Sequence, residues 1–187
     1  MAHIQLNNDA PGIRSLALYR PDTGKSLYEL AQTLLRAGSP DSTLTDAERE
    51  LIAAFVSAGN CTNFCRDSHA AAARYLYGDQ SAVVDQTLAD SGQAPISAKL
   101  RALLTIADHV RTDARTVSDQ LVSAARHEGA TDGDIHDTVL IAAAFCMFNR
   151  YVDGLAAAAP TDPALYRFRA TRVVEDGYSS HDAYMPR

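Results

Sequence analysis

The chain has 187 residues, 47% of them hydrophobic and 21% charged, which is ample material for a core and too apolar for a globally disordered chain. A formal net charge of −6, with Lys25 and Lys99 the only lysines and no basic run, argues against a nucleic-acid partner. No stretch approaches the roughly 20 apolar residues of a membrane span, no secretory signal is visible, and three cysteines make no extracellular disulfide framework.

These properties predict one soluble, cytoplasmic domain over residues 1–187. Pro11, Gly12 and Pro21 predict an irregular arm over residues 1–20. Asp22 or Thr23 then caps a first helix reaching about Ala37, with Leu27, Leu30, Leu34 and Leu35 on its apolar side and Gly38-Ser39-Pro40 as its stop. Thr45 and Glu48 form a capping box for a helix from Asp46, whose Leu51, Ile52, Phe55 and Val56 recur at helical spacing until Gly59-Asn60 breaks the run. A second helix runs from the cysteines that follow to about Tyr77. Shorter helices are predicted at Ala82 to Leu88, at Ala98 to Arg111 after Ser97, and from Ser118 to about Glu128. Thr131 with Asp134 caps a long helix through about Ala156, and Ala164 to Glu175 is the last before a polar tail. No segment alternates like a strand, so the fold class is an all-α bundle of about seven or eight helices. The runs Leu51 to Asn60 and Leu140 to Asn149 both begin Leu-Ile-Ala-Ala and reach asparagine after the same number of residues. The match is either an internal pseudo-repeat or a coincidence between two alanine-rich helices.

Chemistry concentrates in residues 44–77. On the second helix Cys61, Cys65 and His69 are spaced by steps of four, which predicts that the three side chains fall on one narrow stripe. A thiol at a helix N-terminus feels the positive end of the macrodipole, which favours thiolate. His69 is placed to take the thiol proton, or to share it with Glu50 from the preceding helix. Each residue also has a plainer role: Cys65 as a small buried hydrophobe, Cys61 as a turn residue, Glu50 as a first-turn carboxylate. Cys61, Cys65 and His69 would supply three zinc ligands, but their spacing is atypical and no fourth is evident. Cys146 sits in an apolar run and reads as core, Arg150 and Asp153 read as an i,i+3 ion pair, and the other five histidines read as surface or packing residues.

Glu50-Leu-Ile-Ala, Asn60, Phe64-Cys65, Asp67-Ser68-His69 and Ala70-Ala71-Ala72 together resemble the core of the alkyl hydroperoxidase D-like (AhpD-like) family, also called the carboxymuconolactone decarboxylase family. The run Ile141 to Leu155 resembles the second half of its peroxidase-related branch, and the likeness extends over about residues 11–177. The resemblance implies an all-helical fold and a homo-oligomer, commonly a dimer, trimer or hexamer. It also implies a cofactor-free reduction of small hydroperoxides by a cysteine pair, restored by a dithiol, thioredoxin-like or lipoyl electron donor. The family's redox motif is a glutamate, Cys-x-x-Cys, and a histidine four residues past the second cysteine. Glu50 matches the glutamate, Cys65 the cysteine that attacks peroxide, and His69 the histidine. Thr62 stands where the first cysteine belongs, and Cys61 lies one residue earlier, a displaced candidate for the resolving thiol.

The expected function is therefore a thiol-dependent peroxidase of antioxidant type, with Glu50, Cys61, Cys65 and His69 as its catalytic residues. Two alternatives stand beside it: a cofactor-free decarboxylase or isomerase using Glu50 and His69 as acid and base, and a non-catalytic oligomeric relative.

Overall fold

The structure, a computed structural model, describes residues 2–179; among them the regular structure is helical throughout, with nine α-helices and no strand. The first, α1 (Ile13–Tyr19), lies where an irregular arm is expected. Its flanking prolines delimit helices without preventing them: Pro11 precedes α1, and Pro21 is the first residue of α2 (Pro21–Gln32), where a missing N–H costs nothing. The chain stays helical to Ala37 as predicted, but Thr33–Ala37 widens into a π-helical turn closed by Gly38 in the left-handed region (φ 65°).

The capping box of α3 (Asp46–Gly59) is made as expected: Glu48 N–H donates to Thr45 Oγ1 at 3.2 Å, and Thr45 N–H to Glu48 Oε2 at 2.9 Å. The next helix, α4 (Asn63–Tyr77), starts after Cys61 and Thr62. There follow α5 (Ala82–Ala89), α6 (Ala98–Asp113, capped by Ser97), α7 (Asp119–His127, capped by Ser118), α8 (Asp132–Gly154) and α9 (Pro163–Glu175). The Thr131–Asp134 capping box of α8 is also present.

Helix α3 is the centre of the bundle, packed on α4, α6 and α8, and α9 covers the far side of α4. Buried Ala70, Ala71, Ala72 and Ala73 let α4 sit closely between its neighbours. Leu51, Ile52, Leu103, Ile106, Ile141 and Phe145 fill the interior without solvent-accessible slack. The two similar runs lie on packed helices, α3 and α8, and their terminal asparagines meet: Asn60 Nδ2 donates to Asn149 Oδ1 at 2.9 Å. Their burial agrees only in part, since Leu51 is fully buried and Leu140 is 39% exposed.

At the start of α8, buried Asp134 accepts from Thr43 N–H (2.6 Å), Leu44 N–H (3.1 Å) and the hydroxyls of Ser42 and Thr43. Asp137, one turn on, pairs with buried Arg49 of α3 at 2.7 Å. These two carboxylates hold the loop before α3 against α8. The expected Arg150–Asp153 ion pair is not formed. Arg150 donates to the Cys146 carbonyl at 3.0 Å, while Asp153 accepts from the Thr62 hydroxyl, because the end of α8 faces the α3–α4 turn.

Candidate functional site

Glu50 projects from the second turn of α3 into the interior and is completely buried. Its Oε2 lies 2.7 Å from His69 Nδ1, and its Oε1 accepts from Arg36 Nη2 at 2.6 Å and from the Tyr178 hydroxyl at 2.7 Å. Burial alone would push this carboxyl up. The contact with His69, the Arg36 guanidinium and the Tyr178 hydroxyl together outweigh that and hold it below its ordinary value. An ionised carboxylate only accepts, so His69 Nδ1 carries the hydrogen and Nε2 is left for other proton exchange. Glu50 is thus no first-turn surface carboxylate; Glu48 has that structural place.

His69 is fixed from several sides. The Phe145 ring meets it edge-on at 4.5 Å between centroids, and the Tyr178 ring stacks at 6.0 Å. Together with Cys65, Phe64, Phe148 and Tyr28, these rings line a small apolar cavity of about 50 Å³. Cys65 and His69 share this cavity because they lie one turn apart on α4.

Burial pushes the Cys65 thiol up to about 12, with Asp153 adding to the shift and a hydrogen bond from Asn149 opposing it. The expected preference for thiolate at the helix start is therefore overridden: the loss of water outweighs a partial macrodipole charge. Asn149 of α8 belongs to a short polar network, donating to the Ser57 hydroxyl at 3.1 Å and accepting from Asn60 Nδ2 at 2.9 Å.

Cys61 is not on the stripe with Cys65 and His69. It sits in the turn before α4, exposed, with φ at 60°. Thr62, where the family motif has its first cysteine, is buried and donates to Asp153. With Cys61 facing solvent and Cys65 and His69 facing the small apolar cavity, the three do not converge on a metal. Among the described residues no group of three or more His, Cys, Asp or Glu side chains is arranged to hold one. Cys146 is half-buried and meets Asn60 Nδ2 at 3.6 Å.

Two participants escape the sequence reading. Arg36 lies in the π-helical turn, where a regular helix would aim it differently. Tyr178 follows α9 in what reads as a polar tail; Gly177, at φ 81°, reverses the chain, and the Tyr178 N–H donates to Gln32 Oε1 at 2.6 Å. Neither lies near Glu50 in sequence, so no local spacing signals them.

The arrangement is a helical bundle in which Cys65 and His69 line one apolar cavity, with the Glu50 carboxylate bonded to the imidazole behind it. Known structures share this fold. An uncharacterized peroxidase-related protein from Ralstonia eutropha JMP134, described as an alkylhydroperoxidase AhpD core, superposes with a TM-score of 0.74 at 28% identity, over 84% of this chain and 82% of that one. An uncharacterized peroxidase-related protein from Silicibacter sp. TM1040 gives 0.74 at 24% identity, over 84% and 78%. A putative antioxidant defence protein AhpD from Agrobacterium tumefaciens gives 0.67 at 22%, over 79% and 97%. No protein-family model matches the chain, and no curated protein matches it. The chain thus shares the all-α fold of these AhpD-like, peroxidase-related structures, consistent with the resemblance carried by the motifs in α3 and α4.

Proposed function

We propose that the chain is a thiol-dependent peroxidase of the antioxidant type named for its structural neighbours. The observation that carries this reading is the 2.7 Å Glu50–His69 contact beside the same apolar cavity that Cys65 lines. Because the thiol is held protonated, the thiolate forms only as a peroxide is engaged: Cys65 passes its proton to His69 Nε2, and the Glu50 carboxylate stabilises the imidazolium. The sulfur attacks one peroxide oxygen, an S–O bond forms and the O–O bond breaks. The departing alkoxide takes the proton from His69, leaving an alcohol and a Cys65 sulfenic acid oxidised by two electrons. A second thiol then displaces water from the sulfenic acid to give a disulfide, which an external dithiol reduces. Cys61 is the proposed resolving thiol, supported by its position in the turn just before the helix that carries Cys65. The homo-oligomer that the family resemblance implies belongs to the same proposal, and light scattering measures it directly.

A second reading is favoured by the high thiol pKa and by Thr62 in place of a cysteine: Glu50 and His69 acting as a cofactor-free acid and base. A hydroperoxide-consumption assay with a dithiol donor separates the two. Cys65→Ser is expected to abolish consumption, and Glu50→Gln to lower it about a hundredfold or more, the usual worth of a positioned acid–base pair. Equal rates in wild type and Cys65→Ser would overturn the peroxidase reading.

A further inference from the structure

A row of side chains on α8 faces the part of α4 that carries Cys65. Phe145, Asn149 and Asp153 follow one another in steps of four, so they share one face of α8. Phe145 meets the His69 ring at 4.5 Å, and Asp153, at the other end of the row, accepts from the Thr62 hydroxyl. On α4 the order runs the opposite way: Thr62 at the N-cap, then Cys65, then His69 one turn further on. The two outer contacts bracket the middle one and bring Asn149 opposite Cys65.

The Asn149 amide is held there in one orientation. The side chain is buried, Asn60 Nδ2 donates to its Oδ1 at 2.9 Å, and its own Nδ2 donates to Ser57 Oγ at 3.1 Å. An amide nitrogen carries two hydrogens, and Ser57 takes one of them. The other serves the sulfur: the hydrogen bond from Asn149 favours the Cys65 thiolate, against burial and the Asp153 carboxylate, which both disfavour it. The remaining titratable groups around the sulfur are His69 and the hydroxyls of Tyr28 from α2 and Tyr166 from α9, both pushed upward by burial; Glu50 and Tyr178 lie behind the imidazole. Asn149 is thus a fixed, uncharged donor in a setting that otherwise resists a negative sulfur.

We propose that Asn149 is a further catalytic residue of the Cys65 reaction, its Nδ2–H donating to the sulfur as negative charge develops there. The proposal rests on the peroxidase reading of Cys65 and deepens it by naming the group that stabilises the attacking sulfur. The amide gives up no proton. The thiol hydrogen passes to His69 Nε2, while Asn149 keeps both of its own and its bond to the sulfur strengthens as the acceptor becomes an anion. A donor already held in place needs no reorganisation when the charge appears, and exclusion of water raises its worth.

The test is the rate at which iodoacetamide alkylates Cys65 at mildly alkaline pH, followed on the Cys65 peptide by mass spectrometry so that Cys61 and Cys146 do not contribute. Alkylation needs the thiolate but no peroxide. Asn149→Leu is expected to slow it about ten- to a hundredfold, the worth of one hydrogen bond to a charged group. Asn149→Asp should be slower still: Asn60 and Ser57 both donate to the new carboxylate and hold it ionised, so a charge faces the sulfur where a donor stood. A packing role predicts the reverse order, because Asp is the closer match to Asn in shape. An Asp variant no slower than the Leu variant overturns the proposal. Should either fail to fold, the side-chain amide resonances of Asn149 decide. One of its two Nδ2 hydrogens is expected to shift in Cys65→Ala and the other in Ser57→Ala, and an amide indifferent to Cys65→Ala overturns the proposal equally. The two ideas fail separately. Loss of the peroxidase reading shows as protein that consumes no hydroperoxide yet keeps the alkylation order, and loss of the Asn149 role as undiminished consumption in Asn149→Leu.

Discussion

Tyr178 is the side chain whose removal tests the buried network most directly. Burial and the Glu50 carboxylate drive its hydroxyl pKa well upward, so it remains a proton donor to Glu50. Tyr178→Phe keeps the ring against His69 and over the Arg36 guanidinium (5.2 Å) and deletes that bond together with the longer hydroxyl contact to His69 Nδ1 at 3.3 Å. The expected stability loss is about 1 kcal/mol. More diagnostic is the titration of Glu50. Its folded pKa is depressed partly by this donor, so the variant's carboxyl should protonate at higher pH, and the acid limb of the activity profile should move up with it. Infrared titration of the carboxyl reads the shift without any assay; an unmoved titration would remove Tyr178 from the network.

The α3–α4 turn is where the chain departs from the AhpD-like motif it resembles, and its backbone suggests what that departure costs. Cys61 is a non-glycine residue at φ 60°, a conformation that disfavours a Cβ by about 1–2 kcal/mol. Cys61→Gly should therefore raise stability by about 1 kcal/mol, read as a higher melting temperature, although it removes a thiol. If Cys61 resolves the sulfenic acid, the same variant should complete one turnover and then stall, with Cys65 oxidised. A single substitution thus separates a backbone effect from a chemical one. Thr62 is a different case: its buried hydroxyl ties the turn to Asp153 of α8, so a cysteine there would restore the family spacing and lose that tie.

Across the bundle, acid stability should be governed by Asp134 and Asp137, which join the loop before α3 to α8. Burial would raise Asp134, but bonds from the Thr43 and Thr131 backbones and from Thr43 and Lys99 side chains hold it at about 2, against an ordinary 3.8. A depressed carboxylate stabilises the fold fully above its unfolded pKa and loses that contribution as pH falls through the folded one. The loss therefore falls between about pH 4 and about pH 2. Asp134→Asn keeps the shape but cannot accept the same set of bonds, and should cost about 2–3 kcal/mol near neutrality. The gap in melting temperature between variant and wild type should close on acidification. A gap constant with pH would mean the helix and loop are held by packing instead.

The helices and their caps were legible in the sequence because the signals are local: Thr45 with Glu48, Ser97, Ser118 and Thr131 with Asp134 each bond within their own turn. The Cys65–His69 register was legible for the same reason, and the match of Glu50 to a family position identified its partner. What stayed hidden depends on distant chain. Helix α1 is hidden in the sequence because its flanking prolines mark boundaries as readily as they break helices. Arg36 and Tyr178, 14 and 128 residues from Glu50, reach it only because a π-helical turn re-aims the one and a left-handed glycine folds back the other. The thiol's protonation state likewise follows from how completely α8 and α9 exclude water from α4. Chain-local bonding writes helices into the sequence, whereas solvent exclusion and the meeting of remote side chains exist only once the bundle has closed.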